Sequence, residues 1–136
     1  MANIFALQGS SNSGKSSTLI HLLNLVVAKY PNATVQTLHG GTKEVQVIVH
    51  PVNGKKVGIE SRGDPGSHLQ QSLTDFRNAN CNIVFCACRT RGMTVNWINA
   101  MSPPDSVQFV QQTRTQVRQQ NANATMASNL MKMAGI

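Results

Sequence analysis

The stretch Ile4-Phe5-Ala6-Leu7-Gln8-Gly9-Ser10-Ser11-Asn12-Ser13-Gly14-Lys15-Ser16-Ser17-Thr18-Leu19 decides how this chain is read. Its middle, Gly9 to Ser16, fits the pattern GxxxxGK[ST], and the flanks give that pattern its meaning. Ile4-Phe5-Ala6-Leu7 is a short apolar run closed by polar and glycine residues, the signature of a buried strand. Beyond the loop Leu19, Leu22, Leu23, Val26, Val27 and Tyr30 recur at the spacing of one helix face. Strand, glycine-rich turn and helix therefore follow in the order the pattern requires.

These residue types suit the holding of a polyphosphate. Gly9 and Gly14 can adopt backbone angles closed to other residues, so the N–H groups from Ser10, Ser11, Asn12 and Ser13 onward can turn inward around an anion. The unpaired N–H groups at the start of the following helix face the same place. Lys15 brings a mobile full charge toward β- and γ-phosphates, and the Ser16 hydroxyl is placed to ligate Mg²⁺, with Ser17 as the second candidate. By these residues the chain resembles the P-loop NTPase superfamily, specifically from the first strand to Tyr30 and by element order beyond it.

The remaining pattern is that of an α/β chain. Tyr30-Pro31-Asn32 stops the first helix. A short strand is predicted over 34–38, followed by a His39-Gly40-Gly41-Thr42 turn. The β-rich runs 44–49 and 56–60 flank Asn53-Gly54, the strongest short hairpin signal. Leu69, Leu73 and Phe76 predict a helix over 67–79, with Gln70, Gln71 and Arg77 outward. Residues 82–88, apolar from Ile83 onward, read as a central strand covered on both faces. Val95, Trp97, Ile98 and Met101 suit a short helix ended by Pro103-Pro104. Residues 106–111 alternate as a last strand, with helix as the competing assignment, and 121–134 read as a helix burying Met126, Leu130 and Met133. The Gln-, Asn- and Thr-rich run 108–124 is expected to face solvent. The expected fold is a three-layer α/β sandwich, a mostly parallel sheet of five or six strands with one antiparallel hairpin, in a single domain spanning 1–136.

Composition narrows the partners. Lys and Arg total 12 against 5 Asp and Glu, a net charge of +7, which favours an anionic ligand such as a nucleotide. No basic cluster exceeds two residues, so a nucleic-acid surface is not marked out. The apolar runs are too short to cross a bilayer and no charged leader precedes them, so a cytoplasmic location without membrane contact is expected. Cys81, Cys86 and Cys88 have no second ligand pair and read as buried thiols. His21, His39, His50 and His68 have no zinc-site spacing.

Ligands of open α/β sheets sit beyond the carboxyl ends of the strands. Glu60-Ser61-Arg62-Gly63-Asp64 follows one of them. The resemblance implies an acid here that holds the Mg²⁺ shell, a role for Glu60 through water, since its side chain is longer than the usual Asp. Asp64 competes as a second metal acid or as the group orienting the attacking oxygen, and Asp64-Pro65-Gly66-Ser67 is also good helix-entry chemistry. Arg89 and Arg91 close the central strand, and their planar donor forks suit a transferred phosphoryl group or an acceptor's phosphate, an argument that takes in Arg62 after Arg89 and Arg91. In role they resemble the lid arginines of nucleotide kinases. Thr42 occupies a place where the GTPase branch senses the γ-phosphate, although plain turn chemistry accounts for it. Arg114 follows the last strand, where the base is often gripped. No [NT]KxD stretch occurs, so guanine has no GTPase-type reader and ATP is expected.

The expected function is binding of MgATP and cleavage or transfer of its γ-phosphate, with a small ATPase ahead of a nucleotide or metabolite kinase. The rival class is a nucleotide-gated module that binds protein or nucleic acid with little turnover.

Overall fold

The computed structural model describes residues 2–10, 14–40, 45–62, 69–112 and 119–136, with only the backbone of residues 39 and 40. Among these, six strands and four helices follow one another: β1 (Asn3–Gln8), α1 (Lys15–Lys29), β2 (Thr34–Gly40), β3 (Val45–Val52), β4 (Lys55–Glu60), α2 (Leu69–Asn78), β5 (Ile83–Cys88), α3 (Met93–Asn99), β6 (Ser106–Gln111) and α4 (Gln119–Ala134). One mixed sheet has the order β2-β3-β4-β5-β1-β6. β4, β5, β1 and β6 are mutually parallel, while β3 runs antiparallel to both β2 and β4.

Alternation along β1 distributes two cores. Phe5 and Leu7 face α1 and α4, where they meet Leu19, Leu22, Val26, Met126, Ala127 and Leu130. Ile4 and Ala6 face α2 and α3, packing with Leu73, Phe76 and Ile98. The helices thus cover opposite sheet faces, compatible with three layers. β5 is buried at every position because both faces are covered. The Phe5 and Phe85 rings stack across the β1–β5 pair at 5.6 Å.

The β3–β4 hairpin turns on Asn53 and Gly54, at φ 52° and 75°, so both central residues take the left-handed conformation that such two-residue turns need. The last strand occupies 106–111 as expected and helix loses the competition there: parallel pairing with β1 satisfies the backbone groups on its inner edge.

Several boundaries and faces differ from expectation. β2 runs on through Gly40, its register shifting between Thr37 and His39, so the expected turn contributes its first two residues to the strand. α3 ends at Asn99, before the prolines; the amides of Ala100 and Met101 bond to Asn96 and Ile98, tightening the chain into a turn that still buries Met101. α4 buries Asn123, Met126, Ala127, Leu130 and Met131 against α1 and leaves Met133 40% exposed. The run 108–124 does not simply face solvent: Asn123 is buried and Phe109, Val110 and Gln112 are half-buried. Residues 41–44, 63–68 and 113–118 lie outside the described residues, and with them Thr42, Gly63, Asp64, His68 and Arg114.

The three cysteines are free and buried. Burial pushes the Cys81 thiol up to about 11 against the pull of Lys56, and the Cys88 thiol up to about 11 against Lys15. Burial, then Cys88 and Glu60, hold Cys86 well above its ordinary value. The folded state therefore keeps these protons longer than the unfolded chain does. Stability should be full below the ordinary thiol value of 9.0 and fall as pH rises through about 11, by up to about 1.4 kcal/mol per pH unit for each thiol. Urea unfolding across that window checks the slope, and Cys88→Ala should flatten it. At pH 8 a thiol reagent should label the native protein slowly and the denatured protein fast.

Candidate functional site

The loop after β1 leaves the sheet between β5 and β6. Its entry is pinned by the Gly9 amide, which donates to the Cys88 carbonyl at 3.1 Å, and by the Gln112 amide, which donates to the Gln8 carbonyl at 2.8 Å. Its exit is Gly14 at φ 93° and ψ 10°, left-handed, from which α1 starts at once. A side chain on Gly14 would collide as well: a Cβ there would lie 2.8 Å from Asn123 Oδ1. Among the described residues no side chain caps α1, and its first turn holds no acid.

Lys15 is 8% exposed and bends back over the loop. Its Nζ donates to the carbonyls of Gly9 at 2.6 Å and Ser10 at 2.8 Å. An ammonium is thus set among loop carbonyls at the start of a helix, above the carboxyl ends of parallel strands. The half-buried Ser16 donates from Oγ to the Ser61 carbonyl at 3.0 Å, which joins the start of α1 to the end of β4. Ser17 is exposed.

Glu60 ends β4 on the α2 side of the sheet and has no exposed surface. Its Oε1 accepts from the Arg62 amide at 2.9 Å and Arg62 Nε at 3.2 Å, and its Oε2 accepts from Ser72 Oγ at 2.6 Å. Three donors therefore enclose the carboxylate, and reaching a metal requires exchanging some of them. Arg89 is held by its backbone: its amide donates to Thr94 Oγ1 at 3.1 Å and its carbonyl accepts from Gln8 Nε2 at 3.2 Å. Arg91 is exposed.

The structure thus brings together Gly9, Ser10 and Lys15, joins Ser16 to the segment carrying Glu60, and seats Arg89 beside the end of β1. Ser11, Asn12, Ser13, Asp64 and Arg114 lie outside the described residues. Two groups were not singled out from sequence. Gln8 reaches both the Arg89 and Thr90 carbonyls at 3.2 Å, and its Oε1 accepts from Gln111 Nε2 at 2.7 Å, bracing three strand ends. Asn123 Oδ1 accepts from Gln112 Nε2 and Gln119 Nε2, both at 2.8 Å, directly behind Gly14. Only the placement of Asn123 three residues before Met126, on the helix face that packs inward, hinted at this.

A cleft of about 250 Å³ opens at the opposite, amino-terminal ends of the strands, bordered by Ala2, Arg77, Cys81 and Asp105. Its charged groups are spent on each other: Arg77 Nη2 meets Asp105 Oδ2 at 2.9 Å, and the Ala2 amide donates to Asp105 Oδ1 at 2.9 Å. Among the described residues no cluster of His, Cys, Asp and Glu forms a metal site, and no helix is long and apolar enough to cross a membrane. Compared with known proteins, the chain matches no family model, no curated protein and no solved structure.

Proposed function

We propose that the loop from Gly9 to Ser17 binds a nucleoside triphosphate with magnesium, ATP in preference, and that the chain is a small P-loop ATPase. The observation that carries this reading is the buried Lys15 ammonium folded over the Gly9 and Ser10 carbonyls. It stands beside a helix start that no described side chain caps, with no acid in its first turn, so amide dipoles and one full charge converge where an anion gains most. A phosphate entering the loop would exchange with the two carbonyls for the ammonium, leaving the charge neutralised without rebuilding the fold. Magnesium fits the donors present in a limited way, one hydroxyl from Ser16, with phosphate oxygens and water completing the shell that this ion prefers. When bound it would neutralise charge between the phosphates.

Within that reading Arg89 and Arg91 stabilise charge that develops during cleavage. Replacing both with Gln should slow phosphate release while leaving ATP affinity within about threefold, an effect on the transition state alone. Wild-type rates would return them to the solvated surface. The reading itself is tested by titration calorimetry with MgATP and MgGTP, followed by assay of free phosphate. The assay is repeated with mononucleotides and with single-stranded DNA or RNA. Heat with ATP and phosphate release support an ATPase, and labelled mononucleotide supports a kinase. Binding without turnover supports a nucleotide-gated module, and no heat with any triphosphate removes the proposal.

A further inference from the structure

The glycine-rich loop is tied at both of its ends to a single residue, Gln112, which follows β6. The Gln112 amide donates to the Gln8 carbonyl at 2.8 Å, where the loop leaves β1. Its side chain serves the other end. Gln112 Oε1 accepts from Thr18 Oγ1 at 3.2 Å, and the Thr18 amide donates to the Gly14 carbonyl at 2.9 Å, so the link runs back to the residue that closes the loop. Gln112 Nε2 donates to Asn123 Oδ1 at 2.8 Å, and the same oxygen accepts from Gln119 Nε2. These carboxamides stand over Gly14: a Cβ there would lie 2.8 Å from Asn123 Oδ1 and 3.1 Å from both Gln112 Nε2 and Gln119 Nε2.

Packing alone does not call for such a cluster. α1 and α4 share an apolar core that includes Leu22, Val26, Met126, Ala127 and Leu130. At the loop end of the same two helices Thr18 and Asn123 are buried instead. Buried polar groups cost free energy unless each is matched, and once matched they fix one arrangement where apolar contacts tolerate several. The cluster therefore defines the distance between the entry and the exit of the loop. It is also uncharged. A carboxylate at any of these places would repel an anion seated in the loop, whereas carboxamides and a hydroxyl satisfy one another and leave the field of Lys15 undiminished.

We infer that Gln112 is a positioning residue for the phosphate loop, a staple that sets the span between Gln8 and Gly14, and that Thr18 and Asn123 hold its side chain in place. The inference rests on the triphosphate reading above. It gives the end of β6 and the start of α4 a part in binding without any contact to the ligand. A polyphosphate meets the loop already at its binding width and does not spend its own binding energy on ordering it.

The test measures dissociation constants by calorimetry for ATP and for inorganic tripolyphosphate, both with magnesium, in the wild type, Gln112→Met, Asn123→Leu, their double variant and Thr18→Val. Urea unfolding of each gives the folded fraction under the titration conditions. A purely structural role would move the urea midpoint and leave the constants of the folded fraction where they were. Gln112→Met keeps the backbone bond to Gln8 and removes both side-chain links, so both constants should rise about fivefold to fiftyfold. The two rises should agree within about twofold, because the phosphate cradle and not a base contact has slackened. The double variant should bind within about twofold of the weaker single variant, since either change opens the same staple. Thr18→Val removes one hydroxyl, should raise both constants about threefold, and decides the matter if circular dichroism shows the other variants unfolded. Unchanged constants in a folded variant, additive losses in the double variant, a loss with ATP that spares tripolyphosphate, or unfolding of every variant overturns the inference and leaves the cluster as a bond between α1 and α4. Heat with neither ligand in the wild type overturns the triphosphate reading first, and this inference with it.

Discussion

Lys15→Ala should raise the dissociation constant for MgATP by about a hundredfold or more, the combined worth of two charge-assisted hydrogen bonds at about 1.5 kcal/mol or more each. The same change should abolish nucleotide-induced thermal stabilisation, which at a ligand concentration of a hundred times Kd amounts to about 2.7 kcal/mol. The ammonium lies in the loop, on the Gly9 and Ser10 carbonyls. Its burial means that the fold itself bears the desolvation cost of the charge. Lys15→Met keeps the buried stem and removes only the charge, and it should lose binding to the same extent. A melting shift with ATP that survives in either variant would take Lys15 out of the site. Circular dichroism of the unliganded variants separates lost binding from lost folding.

Gly58→Ala should destabilise the chain by about 1–3 kcal/mol, the usual cost of forcing a methyl group into a filled core. A Cβ on Gly58 would lie 2.7 Å from Cδ1, 2.8 Å from Cγ and 2.9 Å from Cε1 of Phe76. The ring is 1% exposed and held by α2 against the β4–β5 pair, so it has no open space to swing into. The backbone of β4 at this point is a floor on which the ring lies, and α2 takes its height above the sheet from that contact. Urea unfolding measures the loss. Combining Gly58→Ala with Phe76→Leu should cost less than the sum of the two, because the smaller side chain admits the methyl group. Additivity within about 0.5 kcal/mol would show that the two do not share the space.

The parts of this architecture that could be read from residues are those set by local order. The β1–loop–α1 unit follows from a motif with its own flanks, and the β3–β4 turn follows from Asn53-Gly54, whose conformational demand is local. β5 was legible because an unbroken apolar run has few other uses. The sheet order was not, since β1 pairs with β5 and β6, partners some eighty and a hundred residues away in the chain that no local pattern announces. The inward face of α4 was misjudged at Met133 because methionine and alanine mark a helical face weakly, and Asn123 does not advertise burial.

In the candidate site, the strand–loop–helix order that seats Lys15 on the Gly9 and Ser10 carbonyls involves neighbours along the chain and was legible there. The surroundings of Glu60 were not. The donor that closes them is Ser72, a dozen residues on, brought back by α2 packing beneath the sheet end. An acid at that place in a sequence gives no sign of the donors that the fold brings to it.

The described carboxylates share one further property. Glu60 is bonded to Arg62 and Ser72, Asp75 accepts from Gln46 and Gln71, and Asp105 accepts from Arg77 and the Ala2 amide. These anions are engaged internally, so most of the cations must find counterions in solution. In dilute buffer such a molecule behaves as a compact polycation. Any association of such a molecule with a polyanion should draw on release of condensed counterions, an entropic attraction without geometry that fades as electrolyte is added.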